Sequence, residues 1–308
     1  MIPEKHLTDS YGRTIKSLRI SITDRCNLNC IYCHNEGNMK AADEMSAKKI
    51  SDIIKAASLY GVDRVKFSGG EPLVRRDFED ILKRLPPLKD VSATTNGILL
   101  EERAQSLKEA GLDRINVSLD SVDDKNYSLI TAANPGDVYK VLRGIEEAIE
   151  VGLTPVKLNM VMLKGINEDK IDQMLEFVRK HKGNIILQLI QLMDFQDVVK
   201  YQVDVQEIEK QLEERADEIH VRKMHRRKKY IIDGAEVEVV RPIDNTEFCA
   251  NCNRLRVTAD GKLKPCLLVN DNLVDTKGAN SEDIPRLLEE VVEKRVPFFR
   301  EISRSTNR

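Results

Sequence analysis

Between residues 17 and 193 the chain alternates short β-like runs with longer stretches of helical periodicity. The runs are SLRISIT (17–23), RVKFS (64–68), VSATTN (91–96), RINVSLD (114–120), PVKLNMVML (155–163) and IILQLIQLM (185–193). Between them, segments such as SAKKISDIIKAASLYG and EDKIDQMLEFVRKH space their apolar residues by three and four, the helical interval. This alternation predicts an α/β fold with parallel strands. There is no sequence repeat beyond it and no low-complexity tract.

The strands carry a second signal. Parallel strands covered on both faces read as near-continuous apolar runs, but most of these alternate. One face holds Leu18, Ile20 and Ile22, then Val65 and Phe67, Ile115, Val117 and Leu119, and Val156, Leu158 and Met160. The other holds Arg19, Ser21 and Thr23, then Arg64, Lys66 and Ser68, Ser92, Thr94 and Asn96, Asn116, Ser118 and Asp120, and Lys157 and Asn159. Successive side chains point to opposite sides of a strand. The expectation is helices against the apolar face and a polar cavity inside a full or partial barrel. Arg19, Arg64, Lys66 and Lys157 make that cavity cationic and suited to an anionic ligand.

Beyond about residue 204 the pattern changes. A helical segment, DVQEIEKQLEERADEI, leads into the basic run RKMHRRKK (222–229). KYIIDGAEVEVV then predicts a hairpin turning at Asp233-Gly234, and LRVTADGKLKPCLL another at Asp260-Gly261. The expected organisation is a β/α domain over 1–225 and a smaller C-terminal extension over 226–308. The basic run reads as a solvated loop: the protein has no tryptophan for base stacking, and the preceding acidic helix offsets its field.

Composition narrows the class. Of 308 residues, 41% are hydrophobic, enough for a sizeable core, and the net charge of −2 gives no global nucleic-acid signal. No apolar run approaches the roughly 20 residues that span a bilayer. The opening MIPEKHLTDSYGRTIK lacks the apolar core of a secretory signal. The expectation is a cytoplasmic protein whose thiols stay reduced, so that cysteines are ligands or catalysts.

The six cysteines form two sets of three: Cys26, Cys30 and Cys33, and Cys249, Cys252 and Cys266. A structural zinc takes four ligands, and His34 adjoins Cys33 too closely to share one metal with it comfortably. Three cysteines on a 4Fe–4S cluster leave one iron open for a substrate or cofactor. By spacing alone, the second set is either another such site or a small zinc or disulfide clip.

C-x3-C-x2-C with Tyr32 before its last cysteine resembles the signature of the radical S-adenosylmethionine (SAM) enzymes, and SGGEP (68–72) is similar to that family's glycine-rich SAM motif. The resemblance implies a partial (β/α)6 TIM-like barrel. It places SAM against Tyr32, Gly69, Gly70, Glu71, Ser118 and Met193. The second set, C-x2-C-x13-C with Arg254 and Arg256 inside it, resembles the C-terminal motif of the GTP 3′,8-cyclase family of molybdenum-cofactor biosynthesis. This implies two 4Fe–4S clusters with three cysteines each, and conversion of GTP to its 3′,8-cyclised dihydro form. Arg19, Arg254 and Arg256 would be catalytic. They would also bind substrate, together with Arg64, Lys66, Thr94 and Lys157. The implied partners are a low-potential electron donor and the next enzyme of molybdopterin synthesis. A homodimer is compatible with the resemblance, and neither a membrane nor nucleic acid is expected.

The chain departs from that family at Gln188, commonly arginine, at Gln191, commonly glutamate, and at Lys66, often arginine. It also ends SRSTNR, without a Gly-Gly tail. Arg64 is the expected substitute for a cation missing at 188. Two other readings fit the cysteines: a radical SAM enzyme acting on a peptide, and a zinc-stapled nucleotide-binding protein without catalysis.

Overall fold

The structure is a computed structural model that describes residues 5–37, 43–181, 183–193, 196–222, 227–242, 246–267 and 269–296. The six expected runs form strands β1 (Ser17–Ser21), β2 (Arg64–Ser68), β3 (Asp90–Thr95), β4 (Arg114–Ser118), β5 (Val156–Met162) and β6 (Ile185–Gln191). The intervening periodic segments are helices. In helix Ala47–Leu59 the Ser46 side chain accepts from Lys49 N at the start, and Ile50, Ile53, Ile54 and Ala57 are buried. Each such isoleucine contributes about 1.5–3 kcal/mol of burial. The helix stops at Gly61, which has φ 80° and donates back to Ser58 O.

The C-terminal segments supply β7 (Glu218–Val221), β8 (Lys228–Ile232), β9 (Ala235–Val240), β10 (Arg254–Val257), β11 (Lys262–Lys264) and β12 (Val274–Asp275). Among the described residues, all twelve strands belong to one sheet, in the order β12-β11-β10-β1-β2-β3-β4-β5-β6-β9-β8-β7. The inner eight strands, β10 to β9, run parallel, and an antiparallel hairpin extends each end. The sheet curves without closing into a barrel, as expected for a partial barrel. Both predicted hairpins form, and Asp233 and Gly234 both have positive φ, as a type I′ turn requires.

The alternation is realised in the packing. The apolar face of β1, β2, β4 and β5 is at most 1% exposed and joins the main core. β6, the near-continuous apolar run, is buried along most of both faces. The C-terminal segment flanks the β/α strands on both sides, since β10 pairs with β1 and β9 with β6.

Candidate functional site

The first cysteine loop follows β1 directly. Gly70 N donates to Thr23 O and Glu71 N to Arg25 O, both at 2.8 Å, which ties the loop's root to the turn after β2. A Cβ on Gly69 would stand 2.2 Å from Thr23 O, and one on Gly70 2.3 Å from Arg25 O, so this approach requires glycine at both positions. The buried Glu71 carboxylate accepts from Leu73 N, Thr95 Oγ1 and Asn96 N at 2.5–2.8 Å, joining this turn to the end of β3. Asn96 Nδ2 donates to Asn27 Oδ1 at 2.7 Å, inside the loop itself. Tyr32 Oη donates to Asp120 Oδ2 at 2.6 Å, and the ring packs on Ile130, Leu163 and Leu192. Tyr32, the glycines, Ser118 and Met193 thus stand beyond or at the C-terminal ends of β1, β2, β4 and β6, the end at which β/α barrels build their sites.

The three thiols lie in one another's field. Burial, then Asp120, then Cys33 and Cys26 push the Cys30 thiol up, and burial, Glu71 and Cys33 raise Cys26. Thiols so close together suit a metal cluster, which removes their protons and shares their charge. Among the described residues no three His, Cys, Asp or Glu side chains converge on a point that would hold a single ion. A cluster does not need that convergence, because each thiolate takes a different iron. The donor set therefore fits a cluster with one open iron.

The second loop is held by arginines. Arg13 donates to Cys249 O at 3.2 Å and Arg295 to Cys252 O at 3.0 Å, and both pair with the buried Asp9, at 2.6 and 2.9 Å. Burial lowers the Arg295 guanidinium, while Cys252 and Cys266 raise it, which places its charge beside both sulfurs. Three cysteines sharing this cationic setting fit a second cluster in the same way.

Between the loops lies the cationic face. Register pairs Arg19 with both Lys66 and Arg256, and Asn116 with Lys157. Arg256 donates to Glu36 Oε2 at 2.6 Å and Arg19 to Oε1 at 3.4 Å; burial opposes ionisation of Glu36, but the two arginines hold it well below the usual carboxylate range. Glu36 stands in a turn in which Asn35, Glu36 and Gly37 all have positive φ. Lys264 Nζ donates to Gly37 O, bringing this turn against the strand that leads to Cys266. Lys66 is pushed well below its ordinary value, first by burial and then by Arg19, Arg114, Arg254 and Lys157, all positive. Burial also pushes Lys157 down, to about 8, against the pull of Glu238.

Several polar atoms on the inward face are buried without a partner: Arg19 Nε, Ser68 Oγ, Thr94 Oγ1, Asn116 Oδ1 and Arg227 Nε. Buried polar groups are normally paired, so these atoms are available to a polar ligand. Arg64 stands apart from the group. It begins β2, its side chain is 42% exposed, and it lies 3.7 Å from Asp63.

The basic run departs from expectation at one described position. Residues 223–226 lie outside the described residues, as does the chain end that lacks Gly-Gly. Lys228 is exposed, but Arg227, whose side chain is 12% exposed, turns inward to Glu238. Asp9, Arg13, Glu36, Asn96, Asp120, Arg222, Arg227, Glu238 and Arg295 were not singled out as site residues by sequence. Their signal is long-range pairing, which no local pattern carries.

An open β/α sheet with a three-cysteine loop after its first strand and a glycine turn after its second defines a radical SAM protein. Residues 20–178 match the model of the Radical SAM superfamily, and residues 185–297 match that of Molybdenum Cofactor Synthesis C. The chain is 63% identical to a probable GTP 3′,8-cyclase of Methanosarcina mazei over 96% of this chain and 91% of that one. A second protein of the same description, from Archaeoglobus fulgidus, is 48% identical over 96% and 99%. The chain belongs to the GTP 3′,8-cyclase family. Among solved structures, SuiB of Streptococcus suis bound to SAM superposes with a TM-score of 0.63 at 17% identity, covering 88% of this chain and 63% of that one. anSMEcpe with bound SAM gives 0.61 at 18% identity, covering 88% and 79%. At these identities the likeness is one of fold. No helix among the described residues is long and apolar enough to cross a membrane.

Proposed function

We propose that the chain converts GTP to its 3′,8-cyclised dihydro triphosphate, the first step of molybdenum cofactor synthesis, as a radical SAM lyase with two 4Fe–4S clusters. The observation that carries this is the cavity's charge. Among the described residues, Arg19, Lys66, Lys157, Arg222, Arg227, Arg254 and Arg256 gather around Glu36 and Glu238 between the two cysteine loops. This concentration of positive charge suits a triphosphate.

In this reading Cys26, Cys30 and Cys33 hold the cluster that binds SAM, and Cys249, Cys252 and Cys266 hold the one that meets the substrate. When bound, the first cluster and SAM supply a one-electron cleavage that yields a radical able to take hydrogen from the ribose C3′. The chain's own residues bind and orient. Tyr32, Gly69, Gly70, Ser118 and Met193 frame SAM. Glu71 serves through its turn, since its carboxylate is occupied by β3. Arg19, Lys66, Lys157, Arg254 and Arg256 take the phosphates and Thr94 the nucleoside, while Arg19, Arg254 and Arg256 also act at the reacting centre. Arg64, half-exposed, adds charge from the rim.

The same reading assigns SAM chemistry to residues 1–225 and the substrate cluster to 226–308. It places the protein in the cytoplasm, supplied by a low-potential electron donor, passing product to the next enzyme of the pathway, and able to act as a homodimer. Peptide chemistry finds no matching feature in so cationic a cavity. Anaerobic purification with iron and sulfide determination, followed by GTP turnover, tests the proposal. About eight irons per chain, for two four-iron clusters, and a cyclised product are expected. Zinc in place of iron, or SAM cleavage that GTP never redirects, would overturn it.

A further inference from the structure

Glu238 is fully buried on β9, in register with Gln188 of β6. Its carboxylate accepts from Gln188 Nε2 at 2.6 Å, lies 3.5 Å from Lys157 Nζ and 3.4 Å from a nitrogen of Arg227, and is in contact with Arg222. Burial favours its neutral form, but Lys157, Arg227 and Arg222 outweigh that and hold it at about 2, so it carries a full charge at neutral pH. Among the described residues, three cations around this one carboxylate leave a surplus of two positive charges. The Arg227 side chain is 12% exposed, and its Nε is buried without a partner. Its charge also reaches Arg254, so this group continues into that of Arg19, Arg254 and Arg256. A buried guanidinium short of counter-charge is costly until an anion arrives.

We propose that Arg222 and Arg227, on the hairpin β7–β8, bind the triphosphate of the substrate together with Lys157, with Glu238 as the fixed anion that holds the three in place. The phosphates are the part of the nucleotide that fits. The three cations offer only donors, and the two arginines present theirs in the forked geometry that phosphate oxygens accept, whereas a guanine edge or a ribose also presents donors that would go unmet. The hairpin thereby supplies the cation that Gln188, facing the same carboxylate, does not. This inference rests on GTP being the substrate.

The test is equilibrium binding of GTP and of guanosine to anaerobically purified, cluster-loaded protein carrying Arg222→Gln, Arg227→Gln or both. Each single variant should weaken GTP about ten- to a hundredfold, as expected for one charge-assisted contact, with the double variant weaker still and guanosine unchanged. Arg227→Lys keeps a charge beside Glu238 and guards against misfolding; it should retain the fold and bind GTP between the wild-type and glutamine levels. Equal losses for GTP and guanosine would mean that the arginines only support the fold, and would overturn the proposal. So would unchanged GTP affinity in the double variant. If Lys157→Ala still weakens GTP in that case, the substrate assignment survives; if it too has no effect, that assignment fails with the proposal.

Discussion

The two cysteine loops are alike in ligand number and opposite in support. The first is held by amides, backbone and carboxylates: Asn96 to Asn27, Gly70 to Thr23, and Tyr32 to Asp120. The second is gripped by Arg13 and Arg295 around Asp9, with Arg254 and Arg256 on the adjoining strand. Local charge, hydrogen bonding and solvent exposure set the potential of an iron–sulfur site. Carboxylates beside the first loop would disfavour adding an electron to a cluster held there, and guanidinium groups beside the second would favour it.

The largest effect separates the two loops outright. Replacing Cys26, Cys30 and Cys33 together by Ala should remove about half the iron, for one of two four-iron clusters, and all SAM cleavage. Replacing Cys249, Cys252 and Cys266 should remove the other half and the cyclised product, while leaving some reductive SAM cleavage. Iron assay and product chromatography read both. A redox titration of the same two proteins without SAM should find the cluster beside the arginines at the higher potential; the reverse order would break the comparison.

Next comes the ionic clamp. Asp9→Asn removes the carboxylate that Arg13 and Arg295 share, and breaking a buried pair costs about 3–5 kcal/mol. Denaturant melts should show that loss, and a change below 1 kcal/mol would mean the clamp is not what holds the second loop. Lys157→Ala, between the loops, should weaken GTP by roughly ten- to a hundredfold through loss of one charge-assisted contact, measurable by calorimetry. Asn96→Ala should have the smallest effect, about 1 kcal/mol of stability for a neutral hydrogen bond. An effect as large as that of Asp9→Asn would erase the contrast between neutral and ionic support.

The frame was legible in the sequence because strand alternation is local. Arg19, Lys66, Ser118 and Lys157 were placed on one face by parity alone, and that face is where they stand. The carboxylates of the same cavity were not legible. Glu238 belongs to a hairpin whose side-by-side pairing with β6 joins segments about fifty residues apart in sequence. Glu36 sits in a turn of consecutive positive-φ residues, which has no periodicity to read. Arg227 lies in a basic run whose composition suggests solvent, and only the position of Glu238 explains its burial. Asp9 and Arg295 are 286 positions apart and meet at a loop neither adjoins in sequence.

The pairing of β1 with β10 also sets a timetable. Ser17 and Asn253, in contact across that junction, are 236 positions apart. At about 5–20 residues per second of synthesis, β1 waits on the order of 10–50 s for its second neighbour. Throughout that interval the nascent chain carries its first three thiols without the arginine wall opposite them, and closing so long a loop is among the later and slower events of folding. The N-terminal site can therefore receive iron while the polypeptide is still being made. The C-terminal site would have to wait until Cys266 has been made, so the topology allows the N-terminal site to be loaded first.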